Sequence, residues 1–382
     1  MIIGIEAAHA NKKHRTGVEQ VCFNLIQEFK KTLPSSSRVI LYSNKPLIGE
    51  LADLPNNWSV KVLKWPFLKG WSQFRLSGEF LFNKPDVFFA PGQLVPFICP
   101  KKTISIVHDS AFKAWPNLYW WASRLYLHLM NKLICRKSSL IITPSKFSKQ
   151  ELIKYYKYNS EKIKVVPWGY DKKNYKYQPS GIKAHEIMEK HRMLEKFGIT
   201  KSFIMSVGRL ETKKNTRRII QAFNILRDNK HYLQLLLVGT PGVGFDKIEQ
   251  EINNSPYKKD IILSGWLDDD LSKLYNTAQA LVFPSLYEGF GLPVLEALAC
   301  GCPVVLSKNS SLEEVGGTAK SGPTYVDPKK PEEIASAVSK VLTGIDLLED
   351  QIERRKQIEY GLERVKEFGW EKSGEMIKQY IV

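Results

Sequence analysis

Cysteine is scarce in this sequence, and the few cysteines present are not arranged for a metal site or a disulfide framework. Their number, five, is odd, and Cys300 and Cys302 are too close together for the usual zinc or redox pairs. We therefore expect reduced thiols that pack inside a cytosolic protein. Long apolar runs are also missing, which predicts no membrane-spanning helix. The apolar N-terminus has no basic residues ahead of it and is predicted to be a first strand rather than a signal peptide.

Acidic residues are few in the first half of the chain. Residues 1–180 hold 28 Lys and Arg against 11 Asp and Glu, whereas residues 181–382 hold 28 of each. Seven of the nine tryptophans also lie in the first half. A basic, Trp-rich half beside a neutral half indicates a surface that meets anions, which would be lipid headgroups, phosphorylated substrates or nucleic acid. The hydrophobic content of 43% excludes a disordered chain.

Short apolar runs alternate with amphipathic stretches along the whole chain, which is typical of parallel sheets covered by helices on both faces. The predicted strands are residues 2–6, 38–42, 60–63, 86–90, 103–107, 140–143, 164–166, 203–207, 233–238, 261–263, 280–283 and 303–306, and predicted helices include 18–29, 71–82, 118–135 and 184–197. The turn signal Pro179–Gly181 predicts a linker between domains 1–178 and 179–368. We predict an α/β fold of two doubly wound, Rossmann-like domains that face each other across a cleft, with ligands at the carboxyl ends of the strands.

The most informative segment is FPSLYEGFGLPVLEALACGCPVV, residues 283–305. A strand is predicted at its start, and a helix is predicted from Pro293 to about Ala299. Gly289 and Gly291 let backbone amides approach a ligand closely, and the helix N-terminus favours negative charge there. The segment therefore predicts an anion-binding turn.

Two carboxylates, Glu288 and Glu296, bracket this turn. Carboxylates repel phosphate but accept paired hydrogen bonds from vicinal hydroxyls. A ligand that carries both phosphate and diols, such as a nucleotide sugar, satisfies both kinds of group. A second segment, SVGRLETKKN, places Arg209 and Lys214 around a glycine turn after a strand, where both side chains can reach one diphosphate.

Two residues of the first half also follow predicted strands. His108 lies just beyond residues 103–107, where it can donate to a sugar hydroxyl or take part in proton transfer. Gly17 precedes a predicted helix and suits close approach of the backbone to a phosphate. Its surroundings do not match the dinucleotide-binding GxGxxG pattern.

Two other patterns are interpreted as structural. Asp268, Asp269 and Asp270 contain a D-x-D spacing that chelates a divalent cation in other transferases, but they open a predicted helix, where acids favour the helix dipole. Residues 239–244, GTPGVG, lack the Lys and Ser or Thr of a P-loop and are interpreted as a flexible turn near the cleft. We therefore predict no metal site and no cofactor.

At this point the sequence resembles a known family. The strings GRLETKKN, GWLDDDLSKLYNTAQALVFPSLYEGFGLPVLEALACGCPVV and SSLEEVGG, with RTGVEQVCFNL and IVHDSAF in the first half, resemble the retaining family 4 glycosyltransferases of GT-B fold. The resemblance covers nearly the whole chain and includes the E-x7-E spacing of Glu288 and Glu296. It implies an acceptor-binding first domain, a second domain that binds the nucleotide sugar, and a C-terminal helix, about residues 369–382, that packs back on the first domain.

The resemblance implies roles for the four charged residues. Arg209 and Lys214 would bind the donor diphosphate, Glu288 the hydroxyls of the donor sugar, and Glu296 the ribose diol. Arg209 and Lys214 would also be catalytic, because negative charge grows on the leaving diphosphate in the transition state, and Glu288 would be catalytic through its contacts with the hydroxyls of the donor sugar.

It implies further contacts through backbone and imidazole. The amides of Phe290, Gly291 and Leu292 would face the sugar phosphate, and Gly17 would lie near the leaving phosphate. His108 would be catalytic, near the reacting sugar carbon. The family uses no essential metal, so the co-substrate, a GDP- or UDP-sugar, would be the one small molecule required.

We therefore expect a hexosyltransferase that moves mannose or a similar hexose to a saccharide or lipid-linked saccharide in the synthesis of cell-surface polysaccharide or lipopolysaccharide. Two alternatives remain open. A glycoside hydrolase would use the two glutamates but would not need an Arg and Lys pair for a diphosphate. A nucleic-acid-binding protein would account for the net charge of +17, although we find no nucleic-acid motif.

Two segments of the first half, residues 63–76 and 112–137, interleave aromatic residues with Lys and Arg. Such interleaving is typical of a surface that lies among lipid headgroups, and the alternative is that the aromatic residues are helix core. We expect peripheral docking on an anionic membrane, and hence a cytoplasmic protein at the inner face of the cell membrane.

Overall fold

A computed structural model of the chain describes residues 1–67, 70–178, 184–267, 270–318, 320, 322–343 and 348–382. The chain divides into two compact units. The N-terminal unit comprises Met1–Gly169 and Phe368–Val382, and the C-terminal unit comprises Tyr170–Glu367. The predicted linker Pro179–Gly181 lies outside the described residues.

The division after Gly169 differs from the boundary that we placed after residue 178. Two contacts explain the difference. The Tyr175 ring packs edge-on against Tyr275, with 6.1 Å between centroids. The amide of Gln178 donates to the side-chain oxygen of Asn276 at 2.7 Å. Residues ahead of the predicted linker therefore already pack on the C-terminal unit.

The N-terminal unit is built on a seven-stranded sheet, in the order β3-β2-β1-β4-β5-β6-β7, with every pair parallel. Its strands are β1 (Ile2–Glu6), β2 (Arg38–Ser43), β3 (Trp58–Val62), β4 (Val87–Ala90), β5 (Lys102–Ile106), β6 (Leu140–Thr143) and β7 (Ile163–Val165). Its first helices are α1 (Gly17–Thr32), α2 (Leu76–Phe82), α3 (Ala111–Ala114), α4 (Trp121–Lys137) and α5 (Lys146–Tyr156). The strand order reverses between β1 and β4, so the loops after these strands diverge and leave room for ligands at the carboxyl edge.

The C-terminal unit is built on a six-stranded parallel sheet, in the order β10-β9-β8-β11-β12-β13. Its strands are β8 (Phe203–Val207), β9 (Gln234–Val238), β10 (Ile261–Gly265), β11 (Leu281–Phe283), β12 (Val304–Ser307) and β13 (Thr324–Val326). Its helices are α6 (Ala184–Lys196), α7 (Thr216–Asp228), α8 (Phe245–Asn254), α9 (Leu271–Thr277), α10 (Leu292–Ala299), α11 (Leu312–Gly316), α12 (Pro331–Thr343) and α13 (Leu348–Arg364). Here the order reverses between β8 and β11, and this reversal brings the two charged motifs to one edge.

The last helix, α14 (Trp370–Ile381), belongs to the N-terminal unit and packs against α1. The Ser373 hydroxyl donates to the carbonyl of Pro167 at 2.6 Å, and the rings of Trp168 and Trp370 stack with 6.4 Å between centroids. Gly169 lies so close to the backbone of Trp370 that a Cβ would not fit. The two segments that make up the N-terminal unit therefore contact each other where the chain leaves the unit, at Gly169, and where it returns, at Phe368.

The predicted fold class is confirmed, since both sheets are parallel and doubly wound. The predicted strands agree with the observed ones to within two residues. Strand β13 was missed because it has only three residues and little apolar signal. The helix predicted from residue 71 begins with a π-helical turn, Trp71–Arg75, before α2.

Candidate functional site

The loop after β8 carries the first predicted pair of cations. Gly208 takes φ +136°, and Asn215 takes φ +62°, so the backbone turns sharply at both ends of the loop. The buried Asn215 amide donates to the carbonyls of Pro284 at 3.0 Å and Pro328 at 2.6 Å. The loop after β8 is thereby tied to the loop after β11, its neighbour in the sheet.

Lys214 and Glu288 form an ion pair within this junction. The Lys214 Nζ lies 2.6 Å from Glu288 Oε1, and the side chains are only 19% and 9% exposed. The ammonium also lies 5.0 Å from the centroid of the Phe283 ring, within range of a cation–π interaction. Two residues predicted from separate motifs therefore meet, and each compensates the charge of the other.

The turn that carries Glu288 is held from beneath by α11. The buried Ser311 hydroxyl lies 2.9 Å from the carbonyls of both Glu288 and Phe290, either of which can accept its proton. Gly291 has φ +122°, and a Cβ there would come 2.7 Å from the Leu312 side chain, so only glycine fits. A rigid turn of this kind fixes the backbone amides ahead of α10.

The N-terminus of α10 is partly buried, and its first amides lack backbone partners among the described residues. Within the part of the chain that the structure describes, the amides of Gly291 and Leu292 find no backbone acceptor. Pro293 is in the first turn and has no amide hydrogen to satisfy. Unpaired amides at the start of a helix favour an anion, as the sequence predicted for this turn.

Arg209 is exposed at the same edge. Its aliphatic stem packs over Gly242, where a Cβ would come 2.6 Å from the Arg209 side chain. The segment 239–244 is hydrogen-bonded to the Arg209 loop rather than open, since Leu210 donates to Thr240 and Gly242 donates back to Leu210, both at 2.9 Å. No ion-pair partner of Arg209 is found among the described residues, so its guanidinium is available to an anionic ligand.

Glu296 lies on α10, where its carboxylate is largely removed from water. The Tyr275 hydroxyl donates to Glu296 Oε2 at 3.2 Å. Burial raises the pKa of Glu296 to about 7, which the Tyr275 hydrogen bond opposes and the charge of Asp171 reinforces. Tyr275 was missed by the sequence reasoning, because nothing in its own helix distinguishes it from a core tyrosine.

Gly17 is the exposed first residue of α1 in the N-terminal unit. The Glu19 carboxylate accepts hydrogen bonds from the amide and hydroxyl of Thr16, at 2.8 and 2.9 Å. This contact fixes the start of the helix and leaves the Gly17 backbone uncovered, as close approach of a phosphate requires.

His108 is buried after β5, and two groups of the loop after β4 hold it. Its Nε2 lies 2.8 Å from the carbonyl of Pro91, and its amide donates to Gln93 Oε1 at 3.0 Å. A carbonyl only accepts, so Nε2 carries the proton and Nδ1 keeps a lone pair. Burial lowers the pKa of His108 to about 4, which makes the imidazole neutral at physiological pH. Because Nε2 already donates to Pro91, this geometry does not favour the donation to a sugar hydroxyl considered for His108 and leaves Nδ1 able to accept a hydrogen bond.

The acidic run lies partly outside the described residues, which include Asp270 but not Asp268 or Asp269. The Asp270 carboxylate accepts a hydrogen bond from Lys196 Nζ at 2.6 Å. No cluster of three or more His, Cys, Asp or Glu side chains suited to a metal is found in the described part of the chain.

Comparison with family models finds two matches. The model for Glycosyl transferases group 1 matches residues 151–364, and the model for Glycosyltransferase Family 4 matches residues 15–174. Among individual proteins, the chain is 27% identical over 295 residues to O-antigen chain mannosyltransferase B of Escherichia coli, covering 77% of this chain and 71% of that protein.

Solved structures share the fold. HepE from Anabaena, solved in complex with UDP-glucose, matches with a TM-score of 0.76 at 18% identity, covering 99% of this chain and 98% of that one. WaaG, a glycosyltransferase involved in lipopolysaccharide biosynthesis, matches over the full length of both chains with a TM-score of 0.73 at 15% identity. Both likenesses concern the fold.

The position of Glu296 predicts a pH dependence of nucleotide binding. A ribose diol donates to a carboxylate, and with a pKa of about 7 Glu296 loses its charge as the pH falls below neutrality. We expect the affinity for UDP or GDP to fall about tenfold from pH 8 to pH 6, measured by isothermal titration calorimetry. Glu296→Gln should bind the nucleotide weakly at both pH values, and any remaining pH dependence of its affinity should come from the titration of the nucleotide itself. Identical pH profiles for the two proteins would show that Glu296 does not contact the ligand.

Proposed function

The chain belongs to the Glycosyl transferases group 1 family, and we propose that it is a retaining hexosyltransferase. It would move mannose or a similar hexose from a GDP- or UDP-sugar to a saccharide or a lipid-linked saccharide. The observation that carries the proposal is the Lys214–Glu288 pair, in which Glu288 lies three residues ahead of the amides that begin α10 and that have no backbone partner in the described chain. A diphosphate and a sugar diol are the two groups that such an edge can satisfy together.

The proposed catalytic principle is stabilisation of the leaving group. As the anomeric bond breaks, negative charge grows on the diphosphate, and the charge of Arg209 together with the amides of Gly291 and Leu292 would stabilise it. Lys214 would share its hydrogen bonds between Glu288 and the diphosphate, while Glu288 accepts from the sugar hydroxyls. Glu296 would hold the ribose. The anomeric configuration would be retained because the acceptor attacks the sugar on the same face from which the leaving group departs.

We assign His108 and Gly17 to the same reaction. The neutral His108 can accept a hydrogen bond at Nδ1 from a hydroxyl near the reacting sugar carbon, and the exposed Gly17 backbone can approach the leaving phosphate. Phe290 belongs to the donor site through its backbone, since its carbonyl is fixed by Ser311. We propose no metal and no cofactor, because cations and helix amides of the protein supply the charge that a divalent ion would otherwise provide.

For the acceptor, the names of the relatives support synthesis of a cell-surface polysaccharide or lipopolysaccharide. The relative from Escherichia coli is an O-antigen mannosyltransferase, and WaaG is involved in lipopolysaccharide biosynthesis. We propose transfer rather than glycoside hydrolysis, because Glu288 is paired with Lys214, a cation that a diphosphate donor needs and a glycoside does not. We propose no nucleic-acid partner.

No helix of the described chain is long and apolar enough to cross a bilayer. We propose instead that the protein docks from the cytoplasm on the anionic inner face of the cell membrane. Helix α4 supports this proposal, because Trp121, Leu125 and Leu129 recur every fourth residue and are 63%, 49% and 49% exposed. The neighbouring Trp120 is 68% exposed.

The charge around this apolar stripe has one sign. Between Asp109 and Glu151 the chain has no acidic residue, and the exposed Arg124, Lys132 and Arg136 lie on α4 itself. The opposite face of the helix buries Met130, Asn131 and Ile134. An exposed apolar stripe with cations beside it fits a headgroup surface, where each basic residue contributes about 1 kcal/mol.

The other aromatic residues of the basic half include both core and exposed side chains. Trp58, Trp71 and Trp168 are buried, whereas Phe67 and Phe74 are 68% and 60% exposed. The sequence left open whether these aromatic residues are helix core or membrane surface, and the structure shows that some are buried and others are exposed. The proposal for the membrane rests on α4 and not on the tryptophan count.

The proposed function is tested with a panel of nucleotide sugars. We expect one GDP- or UDP-hexose to raise the melting temperature, because a ligand that binds the native state stabilises it by mass action. The same donor should support transfer to a membrane extract of lipid-linked saccharides, detected by mass spectrometry, and the activity should survive EDTA. Activity that disappears with EDTA and returns with Mg²⁺ or Mn²⁺ would contradict metal independence. If no donor raises the melting temperature and no donor gives a product, the proposed function is overturned.

Variants of the ion pair test the assigned roles. We expect Lys214→Ala and Glu288→Gln each to lower turnover by about 10²–10³, the cost of removing one transition-state contact. Lys201→Ala is the matched control, since its Nζ pairs with Asp260 Oδ1 at 2.7 Å elsewhere in the same unit. Melting temperatures would exclude unfolding. Wild-type turnover by either variant removes that residue from the site.

Vesicle co-sedimentation tests membrane docking. We expect more binding to phosphatidylglycerol-containing vesicles than to phosphatidylcholine vesicles at low salt, with the difference reduced by added salt. The double variant Trp121→Ser, Leu125→Ser should lose most of this binding, whereas Tyr232→Ser, which removes a side chain that is 77% exposed in the C-terminal unit, should not. Equal binding to both vesicle types would show that the charge asymmetry serves something other than an anionic membrane.

A further inference from the structure

A buried carboxylate in the N-terminal unit has no part in the site described so far. Glu6 is the last residue of β1 and is 1% exposed. Its two oxygens hold His9: Oε1 accepts from the His9 amide at 3.1 Å, and Oε2 accepts from His9 Nδ1 at 2.9 Å. The two hydrogen bonds that this carboxylate accepts fix both the turn and the orientation of the imidazole.

The second ring nitrogen of His9 is left for another group. Because a carboxylate only accepts, Nδ1 carries a proton, and in the neutral imidazole Nε2 has a lone pair. Across the described residues, no partner of Nε2 is found, and the side chain is 28% exposed. An imidazole held by a buried carboxylate and open at Nε2 is a group arranged to contact a ligand hydroxyl.

The same loop holds both histidines of this edge. Gly92, after β4, lies so close to the His9 ring that a Cβ would overlap it. On either side of Gly92, Pro91 accepts from His108 Nε2 and Gln93 accepts from the His108 amide. Gln93 takes φ +58°, a strained conformation of the kind concentrated at functional sites.

We propose that His9 binds the acceptor, its Nε2 accepting a hydrogen bond from the attacking hydroxyl of the acceptor sugar, and that Glu6 is its positioning residue. This inference rests on the proposed function and adds the residue that holds the second substrate. It follows from placement: β1 and β4 flank the reversal of strand order, where ligands of doubly wound sheets bind. His108 has its Nε2 occupied, so His9 is the histidine of this edge whose Nε2 is open.

Two isosteric variants test the proposal. The amide nitrogen of Asn occupies the place of Nδ1, so His9→Asn keeps a donor for Glu6 and loses Nε2, whereas the amide of Gln reaches the place of Nε2. The probes are octyl hexosides, from which the one most rapidly glycosylated by the wild type is used for kinetics. We expect His9→Asn to raise the acceptor KM about tenfold, the value of one lost hydrogen bond, and His9→Gln to restore part of it. His128→Asn, a partly buried histidine of the same unit, should match the wild type.

Gly92→Ala tests the same point without removing a polar atom. Its Cβ must displace the His9 ring, so we expect the acceptor KM to rise as it does in His9→Asn. An unchanged KM and kcat in His9→Asn, or a His9 Nε2 resonance that no octyl hexoside shifts in ¹⁵N NMR spectra of the wild type, would overturn the proposal. Failure of the proposed function itself looks different: the wild type would then show no thermal shift with any nucleotide sugar, whereas His9→Asn is expected to keep that shift.

Glu6→Gln separates positioning from packing. The charged groups that shift the pKa of His9 are Glu6, Glu19 and Lys12. The charge of His9 in turn lowers the pKa of His108. The Glu6 charge raises the pKa of His9, so protonation of Nε2 should raise the acceptor KM as the pH falls. Without that charge the rise should begin at a lower pH. A pH profile identical to that of the wild type would show that Glu6 serves only to pack the strand end, and would overturn its positioning role.

Discussion

The ion pair between Lys214 and Glu288 is the interaction on which the candidate donor site depends. Both side chains are largely removed from water, and a buried charge without a partner costs several kcal/mol. Each residue therefore requires the other to be in place before any ligand arrives. The pair also spans 74 residues of sequence and joins the loops after β8 and β11. Asn215 joins the same two loops with a neutral hydrogen bond, and Ser311 holds the turn that carries Glu288, so the charges sit on a fixed backbone.

The two units use one topology for different chemistry. At the reversal of strand order in the C-terminal unit, the loops present charged side chains and helix amides, which suit a diphosphate and a diol. At the corresponding reversal in the N-terminal unit they present two imidazoles, one buried and neutral and one held by a carboxylate. Parallel strands bring their loops to one edge of the sheet whatever residues those loops contain. The same topology can therefore carry charged side chains in one unit and imidazoles in the other.

Much of this was predictable from the sequence. Apolar runs predicted almost every strand, since a strand buried on both faces must be apolar throughout. Arg209, Lys214, Glu288 and Glu296 could be placed at strand ends because strand, glycine turn and helix follow one another within a few residues. Exposure of single aromatic residues could not be predicted: Trp71 and Trp121 belong to similar basic, aromatic stretches, yet one is core and the other surface. Which of them packs depends on elements distant in the chain.

The sequence by itself determined the two doubly wound sheets, the anion-favouring turn ahead of α10 and the identity of the charged residues near it. Tertiary structure alone decided the state of each group. Lys214 and Glu288 became a pair, Tyr275 became the partner of Glu296, and His108 became neutral because burial lowers its pKa, with its Nε2 proton donated in a hydrogen bond to the Pro91 carbonyl. The physical reason is that backbone conformation responds to neighbours a few residues away. Charge, protonation and exposure respond to whatever the folded chain brings within a few ångströms, and most of those partners are far away in sequence.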